Sequence, residues 1–301
     1  MEFIKNTLDA RNEIEACIKK NGFAPEHNFG YYQWLQEPGK ENVFLKFPNK
    51  SGILAQHNEK LKTWYFVSLP VTGKAAGIKL LADAIDSILS DNAKKINLEI
   101  TPQLKKHLAM ALKGSNFRIG RNNYVYYWPV FDMKSWDGYG LKGKKWKKLR
   151  NIRNRFYKLN NVDAKESREI SKQKLEKIVK DWIKKRSGID RPMYERYLNM
   201  IRQDFDGVDF ARSLIVNGEP CSITAGWRIP NSNDYYSAVG IYTNKFAGIG
   251  EAANLDDLFF LKKKKFENVD FGGSGKTLLQ FKKKFKPSSI YETYSFPVFR
   301  K

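Results

Sequence analysis

The sequence predicts two mixed α/β domains of one architecture in tandem. Three observations carry this. The chain has 301 residues, and domains average roughly 150. Hydrophobic residues make up 42% and aromatic residues 14%, which supports packed cores and excludes wholesale disorder. The order strand, hairpin, strand, long helix, strand, helix, strand is legible twice, without a repeat at the level of residues. The division falls at 1–135 and 136–301.

In the first half, 6–20 read as a helix, with Leu8, Ile14 and Cys17 among its apolar positions. Strand-like runs follow at Asn42–Phe47 and Gly52–Gln56. The second leads through His57-Asn58-Glu59-Lys60 into Thr63–Leu69 as a hairpin. Over 73–90, Ala75, Ile78, Leu81, Ala82, Ile85 and Leu89 form a helical stripe. Ile96–Ile100 is a short strand, Pro102 opens a helix over Gln103–Leu112, and Tyr124–Phe131 is an aromatic strand.

In the second half, a basic helix covers 143–158, and the polar stretch 158–172 reads as a linker or exposed loop. Amphipathic helices follow near 171–185 and 192–204. Arg212–Val216 and Cys221–Trp227 flank Asn217-Gly218-Glu219-Pro220, and Asn-Gly is a strong hairpin signal. Tyr235–Tyr242 is a strand, 250–264 a helix, Asn268–Phe271 a strand, 277–285 a short helix and 290–296 a final strand.

Charge narrows the function. Lys and Arg number 54 against 32 Asp and Glu, a net +22. Such an excess repels itself unless an anionic partner relieves it. Two cysteines, Cys17 and Cys221, fit a reducing compartment rather than a disulfide scaffold. His27, His57 and His107 lack metal-ligand spacing, so no metal is expected. No run of about 18 apolar residues marks a transmembrane segment, and no signal core precedes residue 20. The expected location is the cytoplasm, with any membrane contact peripheral and directed at anionic lipid.

Four constellations could carry chemistry. Between 144 and 156, Trp146, Leu149, Ile152 and Phe156 form a stripe, while Lys144, Lys145, Lys147, Lys148, Arg150, Arg153 and Arg155 occupy other faces with no acid among them. Solvated helices usually mix signs, so this points to a phosphate-rich partner bound by counterion release. The neighbouring Tyr124, Tyr126, Tyr127 and Trp128 read either as core or as base-stacking rings. Asp270-Phe271-Gly272-Gly273-Ser274-Gly275-Lys276-Thr277 ends like a P-loop, but Asp270 stands where that motif needs glycine. It reads as a flexible strand-to-helix turn or the lip of a cleft. Lys245-Phe246-Ala247-Gly248-Ile249-Gly250 precedes a helix. It partly matches the turn that holds acyl-CoA pyrophosphate in acetyltransferases, making Lys245, Gly248 and Gly250 a possible acyl-CoA site. In Gln280-Phe281-Lys282-Lys283-Lys284-Phe285-Lys286-Pro287, Phe281 and Phe285 share a helical face. Lys282 is then free to hold a carbonyl oxygen or phosphate in a transition state. The alternative is a basic helix end favoured by the macrodipole, which also covers Lys262–Lys265.

Val130-Phe131-Asp132-Met133, Leu141-x-Gly143-Lys144-Lys145, Leu149-Arg150 and Asn154-Arg155-Phe156 resemble the soluble C-terminal domain of phosphatidylglycerol lysyltransferases. Phe281-Lys282-x-Lys284-Phe285-Lys286-Pro287, with Tyr291 and Tyr294, is similar to that family's closing motif. Fem-type peptidyltransferases share the Asp-Phe-Gly and Phe-Lys elements more distantly. The resemblance implies two GNAT-like domains, each a mixed and largely antiparallel sheet flanked by helices. It implies aminoacyl-tRNA as donor, no bound cofactor, the basic helix on the tRNA and Lys282 near the transferred carbonyl. Glu251 and Tyr242 are the candidate general bases, and Asp270, Lys284 and Trp227 the candidate substrate contacts. The segment 244–257 departs from the lysyltransferase pattern towards an acyl-CoA turn. An acyl-CoA-dependent N-acyltransferase and a non-catalytic RNA-binding module therefore stand as alternatives.

Overall fold

The computed structural model describes residues 1–73, 76–184, 186 and 193–301. Ala75, Lys185 and Pro192, at the ends of three expected helices, lie outside the described residues. The chain divides into two compact units. One comprises Met1–Tyr126, Ile229–Ser232 and Tyr291–Lys301, the other Tyr127–Arg228 and Asn233–Ile290.

The first unit begins with β1 (Glu2–Ile4), α1 (Arg11–Asn21) and α2 (Phe29–Trp34). The expected helix start at 6 moves to Arg11, because 6–10 is a turn tied by Asn6 to Asp9, and Leu8 is left exposed. Then come β2 (Glu41–Phe47), β3 (Ser51–Asn58), β4 (Thr63–Phe66), α3 (Gly77–Ser90), β5 (Lys95–Ile100), α4 (Pro102–Ala111) and β6 (Phe117–Ile119). Thr101 caps α4 by accepting from Leu104 N, with Pro102 in the first turn. β7 (Tyr124–Asp132) passes from the first unit into the second. β2 shows why its run is continuously apolar. Val43 and Leu45 face Leu81, Ala84 and Ile85 of α3, while Phe44 faces Ile14 and Cys17 of α1. A strand covered on both faces carries no polar alternation.

The second unit contains α5 (Lys147–Leu159), β8 (Val162–Glu166), α6 (Lys172–Ile183), α7 (Glu195–Arg202), β9 (Phe210–Val216), β10 (Glu219–Pro220), β11 (Ser222–Arg228), β12 (Tyr235–Tyr242), α8 (Ile249–Lys263), β13 (Asn268–Asp270) and α9 (Lys276–Lys282). The supposed linker at 158–172 is instead partly β8, paired antiparallel with β9. Its polar alternation is that of a half-exposed edge strand. The Asn217-Gly218 turn forms as read, with φ of 50° and 83°, the left-handed pair that this hairpin needs. The last strand is β14 (Ser289–Arg300).

Each unit has one parallel pair in an otherwise antiparallel sheet. In the first, β4 and β5 are parallel and joined through α3. In the second, β12 and β13 are parallel and joined through α8. Beyond each parallel pair the sheet is continued by a strand that lies far away in sequence, so the two halves of the chain exchange strands. β14 pairs with β5, and β7 pairs with β13. The division drawn at 135 from the sequence does not contain this exchange.

Candidate active site at the open end of a parallel strand pair

β12 and β13 pair only at Tyr235–Val269 and Tyr236–Asp270. β12 then continues to Tyr242 while β13 stops. The opening lies at the carboxyl ends of two parallel strands, where open α/β sheets bind ligands.

Three segments supply its side chains. The first is the turn after β13. Asp270 is buried, and its Oδ1 accepts from Gly272 N at 2.7 Å. Gly272 has φ +72°, and a side chain on Gly273 would meet the Trp128 ring at 2.9 Å. Ser274 exchanges both backbone hydrogen bonds with Tyr127. The turn expected to be flexible is thus held at several points, with Tyr127 and Trp128 as its support.

The second segment is α9 and the turn after it. Phe285 is fully buried, as its spacing predicts. Lys282 reaches back to the β13 turn, where Nζ donates to Phe271 O at 2.5 Å and Gly272 O at 2.9 Å. Burial pushes its ammonium down to about 8, opposed by the Asp270 carboxylate. Two of its three N–H groups serve the turn, and one remains for another acceptor.

The third segment is the end of β12 with the start of α8. Glu251 is paired with Lys284 at 2.7 Å, and Lys284 Nζ also lies 5.0 Å over the Phe281 ring. Tyr242 lies 6.3 Å from Phe281, centroid to centroid, and directly over Gly250, where an added Cβ would stand 2.6 Å from Cζ. Burial raises the Tyr242 phenol, Arg186 opposing and Glu251 assisting. A raised phenol stays protonated at neutral pH, so it suits donation better than the general-base role expected of it.

Lys282, Asp270, Glu251, Lys284 and Tyr242 therefore belong to one neighbourhood. Trp227 does not offer a substrate contact here. It is 1% exposed and packs edge-on against Tyr236 at 5.1 Å. The residues of the expected acyl-CoA turn have neighbours of their own within the protein. Lys245 is ion-paired with Glu219 at 2.5 Å. Gly248, at φ +90°, faces Ile152 of α5, where a Cβ would meet Cγ2 at 3.0 Å. Packing against α5 and Tyr242 thus accounts for both glycines.

The basic helix keeps its expected stripe, with Trp146, Leu149 and Phe156 buried. Its cations divide. Lys145 pairs with Asp137 at 2.7 Å. Arg150 donates to Leu141 O and Gly143 O. Arg153 lies over Tyr157 and Phe259. Lys144, Lys147, Lys148 and Arg155 are exposed and have no acidic partner among the described residues. Of the seven, Lys144, Lys147, Lys148 and Arg155 are the four with neither an acid, a carbonyl nor a ring against the charge among the described residues. Lys262, read as a helix-end charge, instead donates to Met133 O and Trp136 O.

Sequence reasoning missed Arg186 beside Tyr242 and the Arg212–Asp256 pair, with Nη2 to Oδ2 at 2.8 Å. It also missed Asp257, buried on Ser237 at 2.7 Å. The available signal was the adjacent acids Asp256 and Asp257 within an otherwise apolar stretch of α8.

Two units of this topology define a tandem GNAT-like fold, shared with a tandem GNAT protein from the clavulanic acid biosynthesis pathway (TM-score 0.55, 8% identity, 99% of this chain and 97% of that chain). More similar are three solved structures. One is a conserved protein of unknown function from Bacteroides thetaiotaomicron VPI-5482 (TM-score 0.70, 16% identity, 100% of each chain). Another is L-PGS from Bacillus licheniformis (0.67, 14%, 96% of this chain and 91% of that chain). The third is the C-terminal domain (DUF2156) of a protein assigned as a lysylphosphatidylglycerol synthetase from Agrobacterium fabrum (0.67, 13%, 98% and 92%). FemX shares the fold at 0.62 and 12% identity over 98% and 97%. In fold, the likeness read from the sequence motifs is matched. No family model matches the sequence, and no curated protein matches it. Among the described residues, no helix is long and apolar enough to cross a membrane.

Proposed function

We propose that this chain is an acyltransferase that moves an amino acid from aminoacyl-tRNA to an amine or hydroxyl acceptor. The observation that carries the reading is Lys282, fixed by two carbonyl oxygens at the open end of β12 and β13 with one N–H unused. The acceptor attacks the ester carbonyl, and Lys282 stabilises the oxyanion that develops. Collapse breaks the ester C–O bond, and the proton lost by the acceptor ends on the departing ribose oxygen. The ester is already activated, so positioning and charge stabilisation suffice without a covalent enzyme intermediate. In this reading Asp270 and Glu251 face the ammonium of the donor amino acid. Lys144, Lys147, Lys148 and Arg155 hold tRNA phosphates. A lipid head group, a peptide and a small molecule are the acceptor classes that the family resemblance implies.

The second reading, acyl-CoA as donor, would place its pyrophosphate on the turn of Lys245, Gly248 and Gly250, where Lys245 is ion-paired with Glu219. The deciding experiment incubates the protein with a pool of labelled aminoacyl-tRNAs and, separately, with labelled acetyl-CoA, against lipid and amine acceptors. The expected result is label transfer from tRNA only, lost in Lys282→Ala with tRNA binding retained. Transfer from acetyl-CoA alone would reject the proposal.

A further inference from the structure

The outward side of α5 carries a pattern that a count of its charges does not show. At about 100° per residue, Leu149, Ile152 and Phe156 set the inward direction of the helix. The opposite side presents Lys147, Asn151, Asn154 and Lys158, all exposed. Arg150 stands at the edge of this side but turns back onto Leu141 O and Gly143 O. The four side chains have no hydrogen-bond or ion-pair partner among the described residues. They form one row spaced i, i+4, i+7 and i+11, about 16.5 Å long at about 1.5 Å per residue. Positive charge stands at its two ends. Its middle is neutral and carries two amides, each able to donate and to accept.

The two asparagines are not explained by the helix itself. Asparagine is a poor helix former, and at an exposed position no packing calls for it. The order of charges also narrows the partner. A single strand laid along the row, or a layer of anionic head groups, sets negative charge against its middle as well as its ends. Asn151 and Asn154 have no charge to meet it. A duplex groove crossed by the row presents the complementary pattern, with phosphates on both lips and neutral donors and acceptors between them.

The depth of the groove follows from the flanks. The floor of the B-DNA major groove lies about 8.5 Å down, so a helix that reads it enters with both flanks. On one flank of α5, Lys148 and Arg155 are exposed. On the other, Arg153 lies over Tyr157 and Phe259 and is held to the protein. Only the outward row is free to touch a floor, which suits a shallow groove. The minor groove of A-form RNA is wide and shallow and displays 2′-hydroxyls, which donate and accept as the amides do.

We infer that α5 lies across the minor groove of a base-paired RNA stem, with Lys147 and Lys158 on opposite phosphate lips and Asn151 and Asn154 on 2′-hydroxyls. This rests on the reading of α5 as the tRNA face and adds which part of an RNA it holds. Contacts of this kind carry little sequence information, so the row selects a paired stem by shape.

The test measures affinity and its salt dependence for a blunt RNA duplex, its 2′-O-methyl counterpart, a DNA duplex of the same sequence and a single-stranded RNA. The RNA duplex should bind most tightly. Asn151→Ala with Asn154→Ala raises helix propensity at exposed positions, so the fold is kept. This variant should bind the RNA duplex about 5- to 150-fold more weakly, the loss of two hydrogen bonds, with an unchanged salt slope. It should bind the 2′-O-methyl and DNA duplexes as wild type does. Lys147→Ala with Lys158→Ala should lower the salt slope by about 1.8, or two phosphates, on RNA and DNA duplexes alike. If the asparagine variant binds the RNA duplex like wild type, or loses as much on the other two duplexes, the groove inference is overturned. The α5 reading then stands where the lysine variant still lowers the slope. If the lysine variant changes neither affinity nor slope, or no RNA binds the wild type, both fall. Tighter binding of the wild type to the single strand, or binding to phosphatidylglycerol vesicles in place of nucleic acid, also overturns the groove inference.

Discussion

Lys282 places its ammonium among backbone carbonyls in a partly buried turn, where burial lowers its pKa to about 8. If the charged form stabilises the oxyanion, the transfer rate falls as pH rises through about 8. A rate that instead rises across that range would make Lys282 a base and revise its role. Lys282→Ala should lower the rate constant by about 100-fold or more, the scale seen on removing one oxyanion donor. Asp257 poses a different problem, since it is buried in α8 with its carboxyl pushed up to about 7. The folded state then binds a proton that the unfolded chain releases near pH 4. Stability is fully present below that value and declines as pH rises through about 7. Asp257→Asn keeps a partner for Ser237 and removes the charge. Denaturant melts at pH 5 and 8 should show wild type losing stability, by up to roughly 3 kcal/mol, and the variant staying level. Equal losses in both would show that Asp257 does not titrate across folding.

At the scale of elements, α5 shows how much a sequence reveals and where it stops. The stripe of Trp146, Leu149 and Phe156 was legible because helical period alone sets which residues share a face. The division of its cations was not. Asp137, Leu141 and Phe259, which engage Lys145, Arg150 and Arg153, reach α5 by routes that no local pattern encodes. Similarly, the spacing of Phe281 and Phe285 indicated that Lys282 would point elsewhere, but the carbonyls it meets come from ten and eleven residues away. The four uncompensated cations make a quantitative forecast. Lys147→Ala and Lys148→Ala should each lower the slope of log affinity against log salt by about 0.7–0.9. Unchanged slopes would remove those residues from the RNA face. The start of α8 bears on the choice of donor. A side chain at Gly250 would overlap Tyr242, so Gly250→Asp disturbs the site whichever donor is used. Lys245→Ala, which breaks only an exposed ion pair with Glu219, discriminates better, and it should leave aminoacyl transfer near wild type.

For the whole molecule, the two-unit class and nearly every central strand were legible, because apolar runs bounded by turns declare themselves locally. The exchange of β7 and β14 was not. Either strand reads the same whichever sheet it joins, and partner choice depends on long-range pairing. Its energetic weight is clear from Phe296 and Val298 of β14, both fully buried in the cluster with Leu98 and Ile100. A chain truncated before Tyr291 should lose cooperative structure in the first unit, seen as rapid amide exchange across β5. Full protection there without β14 would show that the sheet does not need it.

The exchange also has a consequence in time. Domains made first on the ribosome generally fold first. Here the earlier-made unit waits for a strand encoded after everything else in its sheet, while the later-made unit has its borrowed strand in hand from the outset. β5 therefore spends most of synthesis with one edge unpaired. The nascent chain is exposed to mispairing, and to chaperones that recognise open edges, in its older half rather than its newer one.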